Sequence, residues 1–287
     1  MIMEGILNNW KGFLKEGFTE EGTPDLKYYA FDWDDNIVFM PTQIILVDTQ
    51  GQEVGMSTHA FATERSKIGK EEFEYKGHVI KGFAENPFRN FRVEGDAQFI
   101  KDAPIATLGP SFKDFKKCVE GASIFAIITA RGHNRDTLKE ACKKYIMSGF
   151  GGINTEEVIK HIKSYNKLAG ISNDSSAPEL VDKYLELCQF SPVSNPEIAG
   201  NDPAAAASPE ELKASELTKF INHVNEQVKR INKNITKGQT KEIGFSDDDP
   251  KNVDYILSHF ALRDQQGRFR KGGKKIKVKF TGQQNNG

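Results

Sequence analysis

The sequence predicts an α/β fold, an open parallel sheet with helices on both faces. Three observations predict it. An aromatic run, Tyr28-Tyr29-Ala30-Phe31, stops abruptly at Asp32-Trp33-Asp34-Asp35-Asn36. An unbroken apolar run ending in Ile127-Ile128 gives way to Thr129, and a shorter run ending in Phe245 gives way to Ser246-Asp247-Asp248-Asp249-Pro250. Helical segments lie between these runs, and strand–helix alternation is the pattern of a parallel sheet. Ligands of such sheets bind beyond the carboxyl ends of the strands, so the three polar endings are expected on one rim.

At 287 residues the chain can bury a sizeable core, as one large domain with insertions or as two smaller ones. With 38% hydrophobic and 28% charged residues and a net charge of -1, it reads as globular. No uniform field draws the whole surface to nucleic acid or to a membrane. Cys118, Cys142 and Cys188 are widely spaced and form no Cys-x-x-Cys pair, which argues against a zinc site or a disulfide framework. Nothing reads as a signal peptide, and no apolar run approaches the ~18 residues of a membrane span. A cytoplasmic setting is expected.

Within 1–26, Ile6, Trp10, Phe13, Leu14 and Phe18 recur at helical spacing, so a short amphipathic helix is expected before Gly22-Thr23-Pro24. The run from Lys27 to Phe31 reads as a buried strand. Side chains alternate along a strand, so Asp32 and Asp34 leave on one side and Trp33 on the other. Ile44-Ile45-Leu46-Val47, the turn at Asp48-Thr49-Gln50-Gly51 and Glu53-Val54-Gly55-Met56 form a hairpin. From Thr58 to Ala106 aromatics stand amid many charges, which suits a small α+β insertion better than a linker.

Gly109-Pro110-Ser111 opens a helix with Ser111 as its N-cap, and Gly121 closes it. The strand at 123–128 is apolar throughout, as strands buried on both faces are. A helix follows over 134–147. Helical patches near 155–168 and 178–189 are followed by a Pro-, Asn-, Ser- and Ala-rich surface loop up to Ala207. Ser208-Pro209-Glu210-Glu211 is a helix start with a capping box, and that helix runs to about Asn232. A strand over 241–245 and a helix over 252–260 complete the pattern. The tail from Arg263 is basic, and Ile276, Val278 and Phe280 alternate with its lysines as in an edge strand.

This arrangement resembles the haloacid-dehalogenase-like superfamily of phosphohydrolases. Asp32-Trp33-Asp34-Asp35-Asn36 looks like its first motif, Asp-x-Asp-x-(Thr/Val/Asn). Ile127-Ile128-Thr129 resembles the second, and Asp247-Asp248 with Asn252 the fourth. The third is a lone Lys, for which Lys213 is the candidate, with Lys219, Lys237 and Lys241 as rivals. The resemblance implies a Rossmann-like core over 1–42 and 108–262. A helical and loop insertion would occupy about 148–207, a cap-type α+β insertion 43–107, and a basic tail 263–287.

It implies a phosphatase that hydrolyses a phosphate monoester through an aspartyl-phosphate. A carboxylate nucleophile divides such a slow reaction into two easier steps. Asp32 would be the nucleophile and Asp34 the acid–base group. Mg2+ would be held by Asp32, the main-chain carbonyl of Asp34, and Asp247 or Asp248. Thr129 and Lys213 would bind the phosphoryl oxygens, and Arg131 and His133 stand next to substrate or in a solvated loop. Arg89, Arg92 and Lys101 are further candidates to meet an anionic substrate. The expected partner is a phosphorylated substrate whose class the sequence leaves open. Two other readings stand beside this one. The first is a nucleic-acid end-processing phosphatase guided by the basic tail. The second is a non-catalytic binding or structural protein on the same fold.

Overall fold

The computed structural model describes residues 27–169, 172–200, 207–231, 242–265 and 275–282. The helix expected within 1–26, and the rival lysines Lys237 and Lys241, lie outside them. In chain order the strands are β1 (Lys27–Phe31), β2 (Val38–Phe39), β3 (Gln43–Asp48), β4 (Glu53–Ser57), β5 (Phe73–Tyr75) and β6 (His78–Phe83). β7 (Thr107–Leu108), β8 (Phe125–Thr129), β9 (Gln189–Pro192), β10 (Glu242–Asp247) and β11 (Lys275–Phe280) follow. The helices are α1 (Thr58–Glu64), α2 (Asp96–Asp102), α3 (Phe112–Glu120), α4 (Arg135–Ser148) and α5 (Thr155–Ala169). After them come α6 (Ala177–Leu185), α7 (Pro196–Ala199), α8 (Pro209–Ile231) and α9 (Pro250–Gln265).

Five strands form one sheet in the order β11-β10-β1-β8-β9, and every pairing in it is parallel. β8 is buried along its whole length, as its unbroken apolar sequence requires. Side-chain alternation divides the core into two layers. Phe31, Phe125, Ile127 and Phe190 point to one face and meet residues of α3, α4, α5 and α6, among them Phe115, Leu138, Val158 and Leu180. Ala30, Ala126, Ile128 and Phe245 point to the other and meet Ala214, Leu217, Phe220 and Val224 of α8 and Ile256 of α9. Helices therefore cover both faces. Among the described residues no helix is long and apolar enough to cross a membrane.

Two local readings are corrected. The stretch 148–207 was expected to lie outside the core, yet it supplies α5, α6 and the edge strand β9. Ser111 does not cap α3: its backbone is already right-handed helical, its hydroxyl is buried without a hydrogen bond, and its N–H donates to Asn36 O at 2.9 Å. The capping box of α8 forms as expected, with Ser208 N–H on Glu211 Oε2 at 2.9 Å and Glu211 N–H on Ser208 Oγ at 3.3 Å. β11 is an edge strand, as the alternation at 276–280 suggested.

The antiparallel insertion is a four-stranded sheet in the order β4-β3-β6-β5, packed around Ile44, Leu46, Val54, Met56 and Ile80. Its stem is the short antiparallel pair β2–β7, so the chain leaves the core and returns beside itself. Ser57 and Gln43 lie at the core-proximal end of this sheet, because the stem precedes Gln43 and Gln43 opposes Ser57.

Candidate active site

The site is built where β1 ends. Asp32 N–H donates to Ser246 O on β10 at 2.9 Å, which extends the parallel ladder by one residue. Trp33 turns into the core and stacks on Tyr145, with ring centres 5.5 Å apart and planes 11° apart. Asp35 adopts a left-handed backbone, φ 53. Asn36 then closes the turn. Its Nδ2 donates to Asp32 O (2.9 Å), Ser246 O (3.0 Å) and Ser246 Oγ (2.9 Å), and its Oδ1 accepts from Thr281 Oγ1 (2.9 Å). One buried amide thus joins the ends of β1 and β10 to the chain just past β11.

α8 brings Lys213 to the same rim. Ala214, Leu217 and Ile221 anchor the helix on the sheet, and Lys213 is left facing the carboxylates. Its Nζ lies 2.7 Å from Asp247 Oδ2 and 3.1 Å from Asp32 Oδ1. The contact to Asp32 is an ion pair by distance, and Oδ1 is buried and accepts no aligned hydrogen bond. Asp247 is fully engaged. Its Oδ1 accepts from Asn252 Nδ2 and from Asp249 N–H, each at 2.9 Å. Lys219, the described rival, is exposed and donates to Glu216 at 2.6 Å.

Asp32, Asp247 and Asp248 bring carboxylate oxygens within 4.8 Å of one another. One lysine faces three carboxylates. Burial raises Asp32 well above the ordinary carboxylate range; the Lys213 charge opposes this, and the Asp247, Asp248 and Asp34 charges add to it. Burial and the Asp247 charge push Asp248 up to about 7. Burial and the Asp34 charge push Asp35 to about 6, while a hydrogen bond from Thr58 Oγ1 at 3.0 Å works against them. For Lys213, burial favours the neutral amine, but the charges of Asp247 and Asp32 outweigh it and the net shift is upward. Hard oxygen donors of this kind are what Mg2+ and Ca2+ take. The clustered carboxylate oxygens and their surplus negative charge over one lysine fit a divalent cation.

Asp34 stands apart from this cluster. Its carboxylate is gripped by Arg131, Nε to Oδ2 at 2.7 Å and Nη2 to Oδ1 at 2.6 Å. Arg131 also donates to Thr42 Oγ1 at 3.1 Å and to His133 Nε2 at 3.0 Å. Its guanidinium lies between the Phe91 and Phe99 rings, 4.6 and 4.7 Å from their centres. Burial and the neighbouring Arg131 charge push His133 down to about 4, so the ring is neutral near pH 7. The 2.8 Å contact of its Nδ1 with Asp96 is therefore a hydrogen bond donated by Nδ1–H, not an ion pair.

Asp32, Asp247, Asp248 and Lys213 are brought together. The side chain of Asp34, expected from the resemblance to be the acid–base group, meets Arg131. Arg131 itself, suggested as a substrate contact, faces protein acceptors on several sides. Thr129 ends β8 at the same carboxyl edge, buried, with a long 3.5 Å bond from Arg131 N–H to its hydroxyl. Arg89 pairs with exposed Glu53, and Arg92 donates to Ser194 O at 2.7 Å. Lys101 lies in the last turn of α2. Asp96, Phe91 and Phe99 were not foreseen as neighbours of the site; no periodicity in 58–106 signals where that segment folds back. Comparison with protein-family models, curated proteins and solved structures gives no match.

Proposed function

We propose that the chain is a Mg2+-dependent phosphatase of the haloacid-dehalogenase-like type, acting on a phosphate monoester through an aspartyl-phosphate on Asp32. In this reading residues 1–42 and 108–262 make up the catalytic core, and 43–107 is its cap. The observation that carries it is a buried carboxylate, Asp32, ion-paired to a buried lysine and set within 4.8 Å of two further carboxylates.

A carboxylate oxygen of Asp32 attacks phosphorus, and the bond from phosphorus to the ester oxygen breaks. Asp34 gives its proton to that leaving oxygen. In the second half a water attacks the phosphorus of the aspartyl-phosphate. Asp34 takes the water's proton, inorganic phosphate leaves, and Asp32 is restored. Lys213 offsets negative charge on Asp32 and on the phosphoryl oxygens, in a site dry enough to strengthen the interaction. Thr129 at the adjacent strand end offers its hydroxyl to the same oxygens. Asp247, occupied by Lys213, Asn252 and the Asp249 N–H, orients the lysine. Asp32 and Asp248 would hold the metal, which screens the repulsion between an anionic nucleophile and an anionic substrate.

The test is hydrolysis of an aryl phosphate by the parent chain and by Asp32→Asn, each with Mg2+ and with a chelator. Metal-dependent turnover that disappears in the variant supports the reading. Equal turnover by both proteins excludes Asp32 as the nucleophile.

A further inference from the structure

The insertion is more than a cover, because it reaches the acid–base group through buried side chains. Starting from Asp34, the chain of contacts runs to Arg131, then to His133, then to Asp96 on α2. The distances are 2.6 and 2.7 Å, then 3.0 Å, then 2.8 Å. Asp96 is itself fixed by Asn134 Nδ2, which donates to Oδ2 at 2.7 Å. Phe91 and Phe99, which enclose the guanidinium, belong to the same segment as Asp96. Phe99 also packs on the His133 ring, with centres 4.6 Å apart.

From this geometry we infer that Asp96, His133 and Arg131 are positioning residues through which the insertion aims the Asp34 carboxylate at the leaving oxygen. The inference rests on the phosphatase reading above.

The hydrogen-bond roles define a single arrangement. His133 donates from Nδ1 to Asp96, so Nε2 is left to accept from Arg131 Nη1. With Nη1 held there, Nε and Nη2 present a fork to Asp34. A fork fixes the plane of a carboxylate as well as its place. It takes one lone pair from each oxygen and leaves the other for the substrate side. The middle of the relay is dry, with His133 and Arg131 at 0% and 1%, while its two ends, Asp34 at 16% and Asp96 at 21%, are partly exposed. A guanidinium meant for substrate would have its donors turned outward. Those of Arg131 turn inward, towards Asp34, Thr42 and His133.

The test uses the full chain and the variants Asp96→Asn and Arg131→Lys, with phenyl phosphate and para-nitrophenyl phosphate as substrates. Phenoxide needs a proton to leave and para-nitrophenoxide needs it far less. A misaimed Asp34 should therefore lower kcat on phenyl phosphate by about 10²-fold in Arg131→Lys and by roughly tenfold in Asp96→Asn, with much smaller losses on the nitro ester. KM and the Mg2+ affinity measured by calorimetry should stay within about twofold of the parent, since neither variant touches Asp32, Asp247 or Asp248. Equal losses on both esters, or none, would overturn the inference while leaving the phosphatase reading intact. A parent with no metal-dependent turnover would overturn the phosphatase reading and this inference with it. Should Arg131→Lys fail to fold, Asp96→Asn carries the comparison, because Asp96 lies at a partly exposed end of the relay.

Discussion

Lys213 Nζ and Asp247 Oδ2 meet at 2.7 Å with side-chain exposures of 1% and 0%. A pair so far from water contributes little net stability as a pair, but each member is costly to leave alone. Lys213→Met keeps the bulk and removes the charge. Asp247 would then be buried with only neutral donors. We expect the metal-free variant to lose about 3–5 kcal/mol in urea denaturation. An unchanged midpoint would show that Asp247 does not depend on Lys213 for its charge.

Metal and pH should act together. Asp248, at about 7, and Asp35, at about 6, sit above the ~4 of an unfolded carboxylate. Between those values the folded chain holds protons that the unfolded chain has lost, so the metal-free protein loses stability as pH rises. Mg2+ requires the ionised site and should reverse that trend. At a hundredfold excess over Kd it should add about 2.7 kcal/mol. The rise in Tm caused by Mg2+ should be small at about pH 5 and full by about pH 8, and His133, which titrates alike with and without the ion, cancels in the difference. A rise independent of pH would show that metal binding displaces no proton from Asp248.

Asn36 is a single residue on which three chain segments depend. Asn36→Ala would leave Ser246 Oγ and Thr281 Oγ1 without their partner and the carbonyls of Asp32 and Ser246 one donor short. The expected cost is about 2–4 kcal/mol in denaturant, from the buried groups left unpaired. Mg2+ affinity should fall with it, because the turn carrying Asp32 loses its tie to the strand that ends at Asp247 and leads into Asp248. Calorimetry of the variant showing parent-like affinity would mean that the turn holds its shape alone.

Gly109 passes so close to that turn that an added Cβ would sit 2.4 Å from Asn36 O and 2.8 Å from the carbonyl carbons of Asn36 and Ile37. These atoms are backbone and cannot swing aside. Gly109→Ala should cost about 1–3 kcal/mol or more, as overpacking does, and should disturb the turn around Asp35. A urea midpoint equal to the parent's would show that the β2–β7 stem can shift to make room.

Much of this was legible in the sequence. β1, β8 and β10 announced themselves as apolar runs ended by Asp32, Thr129 and Asp247, and α8 by its Ser208 box. Lys213 was nameable because that box places it in the first turn or so of a helix leading to β10. β9 was hidden for a physical reason. Gln189 and Ser191 are polar, and they are tolerated in a buried edge because Glu216 on α8 accepts from them at 3.2 and 2.6 Å. That partnership spans helix and strand, so no local pattern shows it. The grip of Arg131 on Asp34 was equally out of reach, since it depends on rings from Phe91 and Phe99 and on an aspartate, Asp96, in an aperiodic segment.

The hydrogen bonds from Asn36 to Ser246 join residues 210 positions apart in the chain. During synthesis Asp32 therefore emerges long before Lys213 and the second acidic group that complete its surroundings. At a typical pace of about 5–20 residues per second, that interval is on the order of tens of seconds. Parallel pairing over such a separation is also slow to form once the residues exist. Through that interval β1 has a hydrophobic strand with no β10 beside it, and β8, sooner available, is its first neighbour. A ribosome-bound chain ending before position 242 would be expected to hold three of the five strands, β1, β8 and β9, and neither Asp247 nor Asp248. Any chemistry that needs Asp247 and Asp248 beside Asp32 would then wait on the synthesis of β10.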